Sequence, residues 1–491
     1  MSIDATVVGG GLAGCEAAVR MAERGLRVRL FEMRPVVMTP AHRTGNLAEL
    51  VCSSSLKSNS PQTAHGLLKE EMRRLGSVVL QCAEQAAVPG GDALCVDRDR
   101  FAEAVTGVVE AHPNIEVVRA EVREIPSERP CVIATGPLTS PALTRSIMSL
   151  TGARGLHFFD AIAPSVDAES IDHSKVFRQS RYDKGGEPAY INCPMNREEY
   201  EAFIDALTSA KIAHLHLEEE RDTSYFEGCL PVEVMAKRGR DTLAHGMMKP
   251  VGLTDPRTGR RPWAVVQLRQ ENAEGSVYGL VGFQTQLRPS EQERVFRMIP
   301  GLERAEFVRF GAVHRNTYID SPNVLDATLM TKPPSFLGGD VRGEGDSSPS
   351  SLAGEGRGEG ATCRCFGNLF PKRSPLAGGA GVSGTCSRNG LYFAGQLIGV
   401  EGYMESAATG IIAGINAARI ALGEEPVVPP KETMIGALLD YVANCPVDDF
   451  QPMNSNFGIF PPLNVEHKKR DRKEMKLERA RRMMVEFLGR L

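Results

Sequence analysis

Two cysteines stand in short stretches where a thiol would be accessible. Cys229 lies in FEGCLPVEV, between a glycine and a Leu-Pro pair, and Cys52 lies in the serine-rich stretch AELVCSSSLK. Small and polar neighbours favour exposed turns, whereas a structural free cysteine is usually a small buried side chain. A thiolate adds to an electron-poor carbon and leaves it readily. Both cysteines are therefore candidate catalytic residues, and burial is the alternative for each.

Positive charge follows the first of these thiols along the chain. An apparent helix after Cys229 carries Lys237, Arg238 and Arg240. A free thiol titrates near pH 8.5, so neighbouring cations or a helix N-terminus are needed to make it a nucleophile at neutral pH. Cys229 is accordingly the better candidate for the attacking thiolate.

A glycine-rich turn joins a predicted strand to a predicted helix near the N-terminus. The strand is Ala5–Val8, the turn reads GGGLAG, and a second strand after the helix, LRVRLFE, ends at Glu32. Such a turn lets backbone N–H groups approach a pyrophosphate at the head of the helix. The acidic residue at the end of the second strand can accept a hydrogen bond from a ribose hydroxyl. The pattern predicts a dinucleotide-binding βαβ unit.

Two later stretches favour FAD over a nicotinamide as the bound dinucleotide. The strand CVIATG, which ends at Thr135 and Gly136, resembles the A-T-G strand of the glutathione-reductase-like flavoproteins. LYFAGQLIGVEGYMESAATG resembles their late motif, with Gln396 in place of the usual aspartate. We find no second dinucleotide-binding pattern in the sequence. NAD(P)H is therefore expected to visit the flavin only transiently.

The overall composition is that of a multidomain protein. The chain has 491 residues, a net charge of −4, 42% hydrophobic residues and eleven cysteines without a pairing rhythm. A chain of this length is expected to fold as two or more domains, and scattered cysteines indicate reduced intracellular thiols. We see no signal peptide and no bilayer-spanning run, so the sequence predicts a soluble, cytoplasmic protein. No metal site is predicted.

The predicted architecture is α/β, with a Rossmann-like FAD-binding domain of the glutathione-reductase type and an inserted α+β domain. A low-complexity stretch rich in Gly, Ser, Glu and Arg, 333–389, interrupts the second part of the FAD-binding domain and is expected to be disordered. The predicted units are the first part of the FAD-binding domain at 1–182, the inserted substrate domain at 183–309, the second part at 310–445, and a tail with a basic helix at 446–491.

Several long stretches resemble the family of folate- and FAD-dependent tRNA (uracil-5-)-methyltransferases, TrmFO. They include GGGLAGCEAA, LFEMRP, AELVCSSSL, GLLKEEMR, FEGCLPVEVMAKRGRDTLAHGMMKPVGLTDPRTGRRPWAVVQLRQEN and FAGQLIGVEGYMESAATG, in order along most of the chain. The family usually has Asn where this chain has Ser54, and it has no counterpart of 333–389. With this resemblance, the predicted FAD contacts are Gly9, Gly10, Gly11, Leu12, Ala13, Gly14, Glu32, Arg34, Thr135, Gly136, Gly395, Gln396, Gly402 and Ser406.

The resemblance implies transfer of a one-carbon unit from 5,10-methylenetetrahydrofolate to C5 of the T-loop uridine of tRNA. FAD would be carrier and reductant, and NAD(P)H the electron source. Cys229 would add to uracil C6, and Cys52 would act at the one-carbon unit or remove the C5 proton, although these roles are exchangeable. Three features are candidate RNA or folate contacts, with solvated surface as the alternative. They are a basic cluster beside Trp263, a polar stretch at the start of a strand, and the C-terminal helix. The residues of the first two are Arg257, Arg260, Arg261, His314, Arg315 and Asn316.

Three other functions remain open from the sequence. The chain is similar, to a lesser degree, to flavoproteins that modify the tRNA wobble uridine. A flavin oxidoreductase acting on a small metabolite would share the glycine motif but would not need two accessible thiols. A flavin-binding interaction protein without catalysis is the third alternative. No membrane and no obligate protein partner is expected.

Overall fold

A computed structural model describes residues 2–151, 156–183, 188–213, 230–333, 390–447, 450–465, 468 and 470–491. Cys229 and nearly all of the low-complexity stretch lie outside these residues. The strands are β1 (Ala5–Val8), β2 (Val28–Glu32), β3 (Ser55–Ser58), β4 (Ala87–Val88), β5 (Ala93–Val96), β6 (Ile115–Arg119), β7 (Cys131–Ile133), β8 (Leu156–Ala161), β9 (Ser165–Asp167), β10 (Phe177–Arg178), β11 (Tyr190–Met195), β12 (Ala264–Gln270), β13 (Val277–Leu280), β14 (Phe307–Arg309), β15 (Val313–Tyr318) and β16 (Leu391–Phe393). The helices are α1 (Leu12–Glu23), α2 (Ala64–Arg74), α3 (Val78–Gln85), α4 (Arg98–Glu110), α5 (Pro141–Thr151), α6 (Arg197–Ser209), α7 (Val232–Lys237), α8 (Thr242–His245), α9 (Pro289–Phe296), α10 (Ser321–Val324), α11 (Tyr403–Ala421), α12 (Met434–Asn444) and α13 (Arg472–Leu488).

A five-stranded parallel sheet forms the first core. Its strand order is β16-β7-β1-β2-β6, and every pairing is parallel. The short β-branched strands β1 and β7 are buried throughout, as expected for strands covered on both faces. The predicted Rossmann-like α/β class is confirmed, and the strand and helix around the glycine turn form where the sequence predicts them.

Helices α1 and α11 pack against each other at very short distance. A Cβ on Gly410 would overlap the backbone of Ala13, and a Cβ on Gly414 would overlap the backbone of Ala17. Glycine is therefore required on the α11 side of this contact, because any side chain would separate the two helices. The contact holds the N-termini of both helices at the same end of the parallel sheet.

A second sheet forms the other core. Its six strands, in the order β10-β11-β12-β13-β9-β14, are all antiparallel to their neighbours. One face carries the buried side chains of Ile191, Cys193 and Leu268 and packs against α6, α7 and α9. Because β9 and β10 complete this sheet, it extends upstream of residue 183, the predicted start of the inserted domain.

Two smaller sheets lie beside these cores. β8 and β15 form an antiparallel pair, and β3, β5 and β4 form a three-stranded sheet. The C-terminal helix α13 forms within the predicted tail, and it packs Leu477, Met484 and Phe487 into the first core. Among the described residues, no helix is both long and apolar enough to cross a membrane.

Candidate active site

The glycine turn opens the N-terminus of α1 toward a cleft. Gly9 has a φ of +104°, and a Cβ there would overlap the carbonyl of Ala134 on the neighbouring strand. A Cβ on Gly14 would overlap the carbonyl oxygen of Gly9, so α1 can start only if this position is glycine. A Cβ on Gly11 would meet nothing within 4 Å. Gly11, Leu12 and Ala13 line the cleft, and the unpaired N–H groups at a helix N-terminus suit an anion.

Glu32 lies at the end of β2, where it closes the turn. Its Oε2 accepts a hydrogen bond from the Gly10 N–H at 2.9 Å, and its Oε1 accepts two from Arg34, from N at 3.0 Å and from Nε at 2.9 Å. Burial works against the charge of Glu32, but the Arg34 guanidinium outweighs it and holds the pKa of the carboxyl below its usual value. Glu32 is therefore an anion at neutral pH, with a lone pair on Oε2 for a further donor.

Arg34 lines the cleft, but its guanidinium is held mainly by protein carboxylates. Besides Glu32, it binds Glu49, with Nη1 at 3.1 Å from Oε2. The side chain of Arg34 is only 3% exposed. This arrangement makes Arg34 a residue that fixes the Glu32 carboxylate, whereas the sequence indicated only that it belongs to the cofactor site.

The opposite wall of the cleft comes from the ends of β7 and β16 and from α11. Gly136, Gly395 and Gly402 have φ values of +66°, +79° and +117°, which favour glycine. The Gly395 N–H donates to Thr409 Oγ1 at 2.8 Å. Of the predicted contacts, the following line this one cleft: Gly9, Gly11, Leu12, Ala13, Glu32, Arg34, Thr135, Gly136, Gly395, Gln396 and Ser406. Gly10 and Gly14 lie in the turn beneath it, and Gly402 caps α11.

This cleft fits a dinucleotide that contains a pyrophosphate. The open N–H groups of α1 suit the phosphates, and the ionised Glu32 suits a ribose hydroxyl. The N-terminus of α11 reaches the same cleft through Tyr403 and Ser406. A second helix N-terminus at the far end of the cleft suits the anionic pyrimidine edge of a reduced flavin.

Cys52 lies on a loop beside this cleft, at intermediate exposure. The Tyr403 hydroxyl oxygen accepts hydrogen bonds from the backbone N–H groups of Cys52, at 2.8 Å, and Ser53, at 3.2 Å. Tyr403 and Val51 both line the cleft. The loop with the thiol is thus attached directly to the first turn of α11. Tyr403 was not predicted from sequence, although it directly follows Gly402.

Three arginines of the second sheet and of α4 hold the Cys52 loop from the other side. Arg98 and Arg309 each direct Nη2 at the Cys52 carbonyl oxygen, at 3.4 Å, and Arg269 Nη2 donates to Ser53 Oγ at 2.7 Å. Glu271 binds Arg98 Nη2 at 2.8 Å and so partly offsets their charge. Sequence reasoning missed this cluster, although alternation along β12 places Arg269 and Glu271 on one face.

Ser54, where the family usually has Asn, is fully buried next to this loop. Its Oγ has no hydrogen-bond partner among the residues that the structure describes. Its carbonyl oxygen accepts from the Val96 N–H at 2.9 Å, so the backbone of the loop remains anchored. The side chain at this position contributes volume and no described polar contact.

A buried charged group lies under the N-terminus of α11. Glu405 is almost fully buried, and His65 Nδ1 and Lys57 Nζ lie 3.2 Å and 3.8 Å from its Oε1. Burial opposes its charge, but Lys57 and His65 outweigh that effect and hold the pKa of Glu405 well below its usual value. Lys57 itself has a φ of +63°. Sequence reasoning gave no signal for this group.

The second candidate thiol, Cys229, lies outside the described residues. The chain directly after it is anchored, because Val232 N donates to Gln284 O at 2.7 Å. Glu233 at the start of α7 is buried and accepts hydrogen bonds from Thr285 Oγ1 at 2.9 Å and Gln286 N at 2.8 Å. Burial raises the pKa of Glu233. A helix therefore forms after Cys229 as predicted, but α7 ends at Lys237, so Arg238 caps it and Arg240 lies beyond it, paired with Asp205.

The predicted RNA contacts separate into two groups. Arg257 is held by Asp255 in a paired interaction, Nε to Oδ1 at 3.0 Å and Nη2 to Oδ2 at 2.8 Å, so its charge is largely neutralised within the protein. Arg260 and Arg261 are exposed and form no ion pair within the described part of the chain. Trp263 is 41% exposed, and the Arg197 guanidinium stacks on its ring at 5.1 Å.

The polar stretch that begins at His314 lies in β15. Its residues 314 and 315 pair with Asp160 and Phe159 of β8 through the backbone. Asn316 is buried, and its Nδ2 has no hydrogen-bond partner among the described residues. A buried amide without a described partner is compatible with a ligand contact, and its role stays a prediction.

Fold and site together define a flavoprotein of the type with a two-part dinucleotide-binding domain. The solved structures of Aquifex aeolicus GidA in two crystal forms have the same fold, with TM-scores of 0.62 and 0.61, 17% identity, and coverage of 99% of this chain and 73% and 76% of theirs. The family model described as glucose inhibited division protein A matches residues 4–345 and 384–425. It leaves 346–383, within the low-complexity stretch, unmatched.

Curated relatives narrow this assignment. Proteins named methylenetetrahydrofolate--tRNA-(uracil-5-)-methyltransferase TrmFO from Symbiobacterium thermophilum and Moorella thermoacetica are 52% and 50% identical, over 97% and 96% of this chain and 95% of theirs. The protein of that name from Anoxybacillus flavithermus is 49% identical over the whole of both chains. The chain therefore belongs to the glucose inhibited division protein A family and to the TrmFO family, as its sequence motifs indicated.

Proposed function

We propose that this chain transfers a one-carbon unit from 5,10-methylenetetrahydrofolate to C5 of the T-loop uridine of tRNA in the cytoplasm, with NAD(P)H as the electron source. The observation that carries the proposal is the identity of about half, over nearly the full length, with relatives named for this activity. Cys52 beside the cofactor cleft supports it, because a metabolite oxidoreductase would not need a thiol there.

The residues of the cleft would hold the cofactor and position the thiol. FAD, when bound, supplies reducing equivalents and carries the one-carbon unit. Glu32 and the glycine turn would bind its ribose and pyrophosphate, and Gln396 and Ser406, which line the same cleft, would contact its flavin half. Tyr403, Arg98 and Arg309 fix the backbone of the Cys52 loop.

The thiols account for reaction at an unreactive carbon. Uracil C5 is too weak a nucleophile to attack a one-carbon electrophile, and thiolate addition at C6 turns C5 into an enolate carbon. After C5 bonds to the one-carbon unit, loss of the C5 proton breaks the bond between that carbon and its carrier and leaves an exocyclic methylene. Two-electron reduction of this methylene, with the reducing equivalents that FAD would supply, gives the methyl group as the thiolate leaves C6. We assign the addition to Cys229 and the handling of the one-carbon unit or the C5 proton to Cys52. The target base must leave its stacked position to reach these groups.

A labelling assay tests the proposal. Purified yellow protein should transfer label from methylenetetrahydrofolate to the T-loop uridine of unmodified tRNA when NADH or NADPH is present, and not when the folate is omitted. Cys229→Ala and Cys52→Ala should each abolish transfer and retain the FAD absorbance. Label in the wobble uridine would replace the proposal with the alternative tRNA modification, and a yellow protein that transfers no label to tRNA would refute it.

A further inference from the structure

Among the described residues, no α-helix packs on the other face of the second sheet, and this face meets the Cys52 loop. Alternate residues of β12 point to it: Val265, Gln267 and Arg269, with Glu271 just after the strand. Val265 is buried there against Phe177 and Leu253, so the chain itself covers part of this face. Register places Ser165 and Arg309 on the same face, since Gly279 pairs with both Arg269 and Ser165, and Ser165 pairs with Arg309. At the Arg269 end, this face holds Cys52 and Ser53.

Trp263 lies just before β12, at the opposite end of the strand from Arg269. Six residues separate Trp263 from Arg269, which at about 3.3 Å per residue is roughly 20 Å. Trp263 N donates to Met195 O at 3.0 Å, and the Trp263 ring packs against Arg197, the first residue of α6, at the end of the sheet. A large ligand that is seated at Cys52 and extends past this end of β12 would therefore reach Trp263.

Tyr182 stands between these two ends. Arg181 Nε donates to Gln267 Oε1 at 2.8 Å, which fixes the chain over the middle of β12. Tyr182 is 62% exposed, and its φ of +58° is unusual for a bulky residue. Gly252 lies directly under the ring, where a Cβ would come within 3.0 Å of the ring atoms. The backbone is held in a rare conformation while the ring is left in solvent, and such conformations cluster at binding sites.

Tyr182 and Trp263 are the two most exposed aromatic side chains of the described residues, since every other exposed large apolar side chain there is aliphatic. Cations lie beside Trp263. Arg197 stacks on its ring, and Arg261 lines the same pocket without an ion pair among the described residues. Exposed rings interleaved with arginines bind nucleic acid, because bases stack on the rings and phosphates bind the guanidinium groups.

We propose that Tyr182, Trp263 and Arg261 form an RNA-docking surface on the outside of the second sheet, in which the two rings stack on bases of the tRNA and Arg261 contacts a phosphate. Trp263 lies about 20 Å along β12 from Arg269, which holds the Cys52 loop. This proposal rests on the proposed function and extends it, since it places tRNA contacts outside the catalytic cleft. The surface serves binding of the tRNA body and leaves the chemistry at Cys52 unchanged.

The chain has one tryptophan, so its fluorescence reports on this surface directly. Titration of the FAD-loaded protein with unmodified tRNA should quench Trp263 fluorescence. Trp263→Ala and Tyr182→Ala should each weaken tRNA binding about five- to one-hundredfold, the range for loss of one stacked ring. The rate of methyl transfer at saturating tRNA and the FAD content should stay at the wild-type values. Arg261→Ala should reduce the slope of log affinity against log salt by about one.

Two controls locate the effect. Val108→Ala removes an exposed apolar side chain from α4, outside the second sheet, and should leave tRNA binding unchanged. A stem-loop too short to extend 20 Å from its target uridine should bind the wild type and the Trp263→Ala variant equally. Equal weakening for short and long RNA, or unchanged tRNA binding in the double variant, would overturn the docking surface.

The same experiment separates the two proposals. If the wild type neither binds nor modifies tRNA, the proposed function fails. If the wild type modifies tRNA and the Tyr182→Ala, Trp263→Ala double variant does so with the same KM, only the docking surface fails. Quenching by an unrelated acidic protein at the affinity of tRNA would assign the surface to a protein partner and would also refute it.

Discussion

The Tyr403 hydroxyl joins the cofactor cleft to the Cys52 loop. It accepts two backbone N–H groups of that loop and lies on the first turn of α11, which faces the cleft. Burial raises the pKa of Tyr403, so the phenol stays protonated at neutral pH. One side chain therefore fixes how far the Cys52 thiol lies from the cleft.

Tyr403→Phe tests this positioning role. The change removes the shared acceptor and leaves two partly buried N–H groups without it, which costs about 1–3 kcal/mol in loop stability. We expect methyl transfer to fall about ten- to one-hundredfold, since small misplacements of reacting groups have effects of this size. FAD content, measured by absorbance, should stay at the wild-type value.

Tyr200→Phe is the matched control. The Tyr200 hydroxyl also accepts a backbone N–H, from Ala244 at 3.1 Å, but it lies in the helix layer of the second sheet. The Tyr200→Phe change should lower the free energy of unfolding by a similar amount and leave the rate of methyl transfer within about twofold of the wild-type value. Equal activity losses in both variants would mean that Tyr403 acts only through general stability.

At the scale of elements, the α1–α11 contact brings the two helix N-termini to one cleft. Glycines make it possible, because the α11 backbone rests on the α1 backbone at Ala13 and Ala17. The parallel strands β1 and β7 end at the same edge of the sheet and supply the turns between the helices. The cofactor cleft is thus a product of how two helices pack on one sheet.

Gly410→Ala should disrupt this packing. The added Cβ would overlap the backbone of Ala13, which cannot move as a flexible side chain would. We expect a loss of about 3 kcal/mol or more in the free energy of unfolding, together with reduced FAD retention. Calorimetric melting of the FAD-loaded protein and its absorbance spectrum measure both.

Gly107→Ala supplies the contrast on another helix. Gly107 lies on the exposed face of α4, where a Cβ would meet nothing within 4 Å. Alanine there should raise stability by about 0.5–1 kcal/mol, because glycine loses more backbone entropy on folding. A Gly410→Ala protein as stable as the Gly107→Ala protein would show that α1 and α11 have room for a methyl group between them.

At the scale of the whole molecule, stability depends on pH through buried carboxyls. Glu71 of α2 is buried and accepts the N–H groups of Met434, at 2.7 Å, and Ile435, at 2.9 Å, at the start of α12. Burial raises the pKa of Glu71 from 4.5 to about 8, although the two N–H groups act in the other direction. The folded state therefore binds this proton more tightly than the unfolded state does.

The sign of the dependence follows from that difference. The stabilisation linked to the Glu71 proton is full below about pH 4.5 and is lost as the pH rises toward 8, by up to about 1.4 kcal/mol per pH unit. Glu71→Gln removes the titration. We expect the difference in melting temperature between wild type and Glu71→Gln to move in favour of the variant between pH 5.5 and 7.5. A difference in melting temperature that stays constant from pH 5.5 to 7.5 would contradict a raised pKa for Glu71.

The two ends of the low-complexity stretch meet in the fold. Thr331 N donates to Leu391 O at 2.9 Å, and Met330 forms a bridge with Tyr392, so the chain leaves and re-enters the first core at one place. A short Gly-Ser linker in place of 334–389 should preserve FAD binding and raise stability by about 1–2 kcal/mol, because a shorter loop costs less entropy to close. Loss of FAD on this replacement would show that the segment contributes to the cofactor site.

The sequence by itself determined the cofactor half of this protein. Gly9, Gly14 and Glu32 are close in the chain, and local backbone sterics require the glycines at their positions, so spacing alone predicts the turn and the acid. The late glycines and Gln396 followed from resemblance to a motif with the same local logic. Arg34 shows the limit, because its link to Glu49 could not be seen in the motif.

Only the tertiary structure decided which residues surround the Cys52 thiol and which residues form the proposed docking surface. Tyr403, Arg98, Arg269 and Arg309 come from distant parts of the chain and meet at Cys52 because two sheets are placed side by side. Likewise, Tyr182 lies over β12 only because Arg181 donates to Gln267 across the fold. Local spacing encodes a turn, whereas a contact between distant segments depends on how whole elements pack, which no short stretch of sequence specifies.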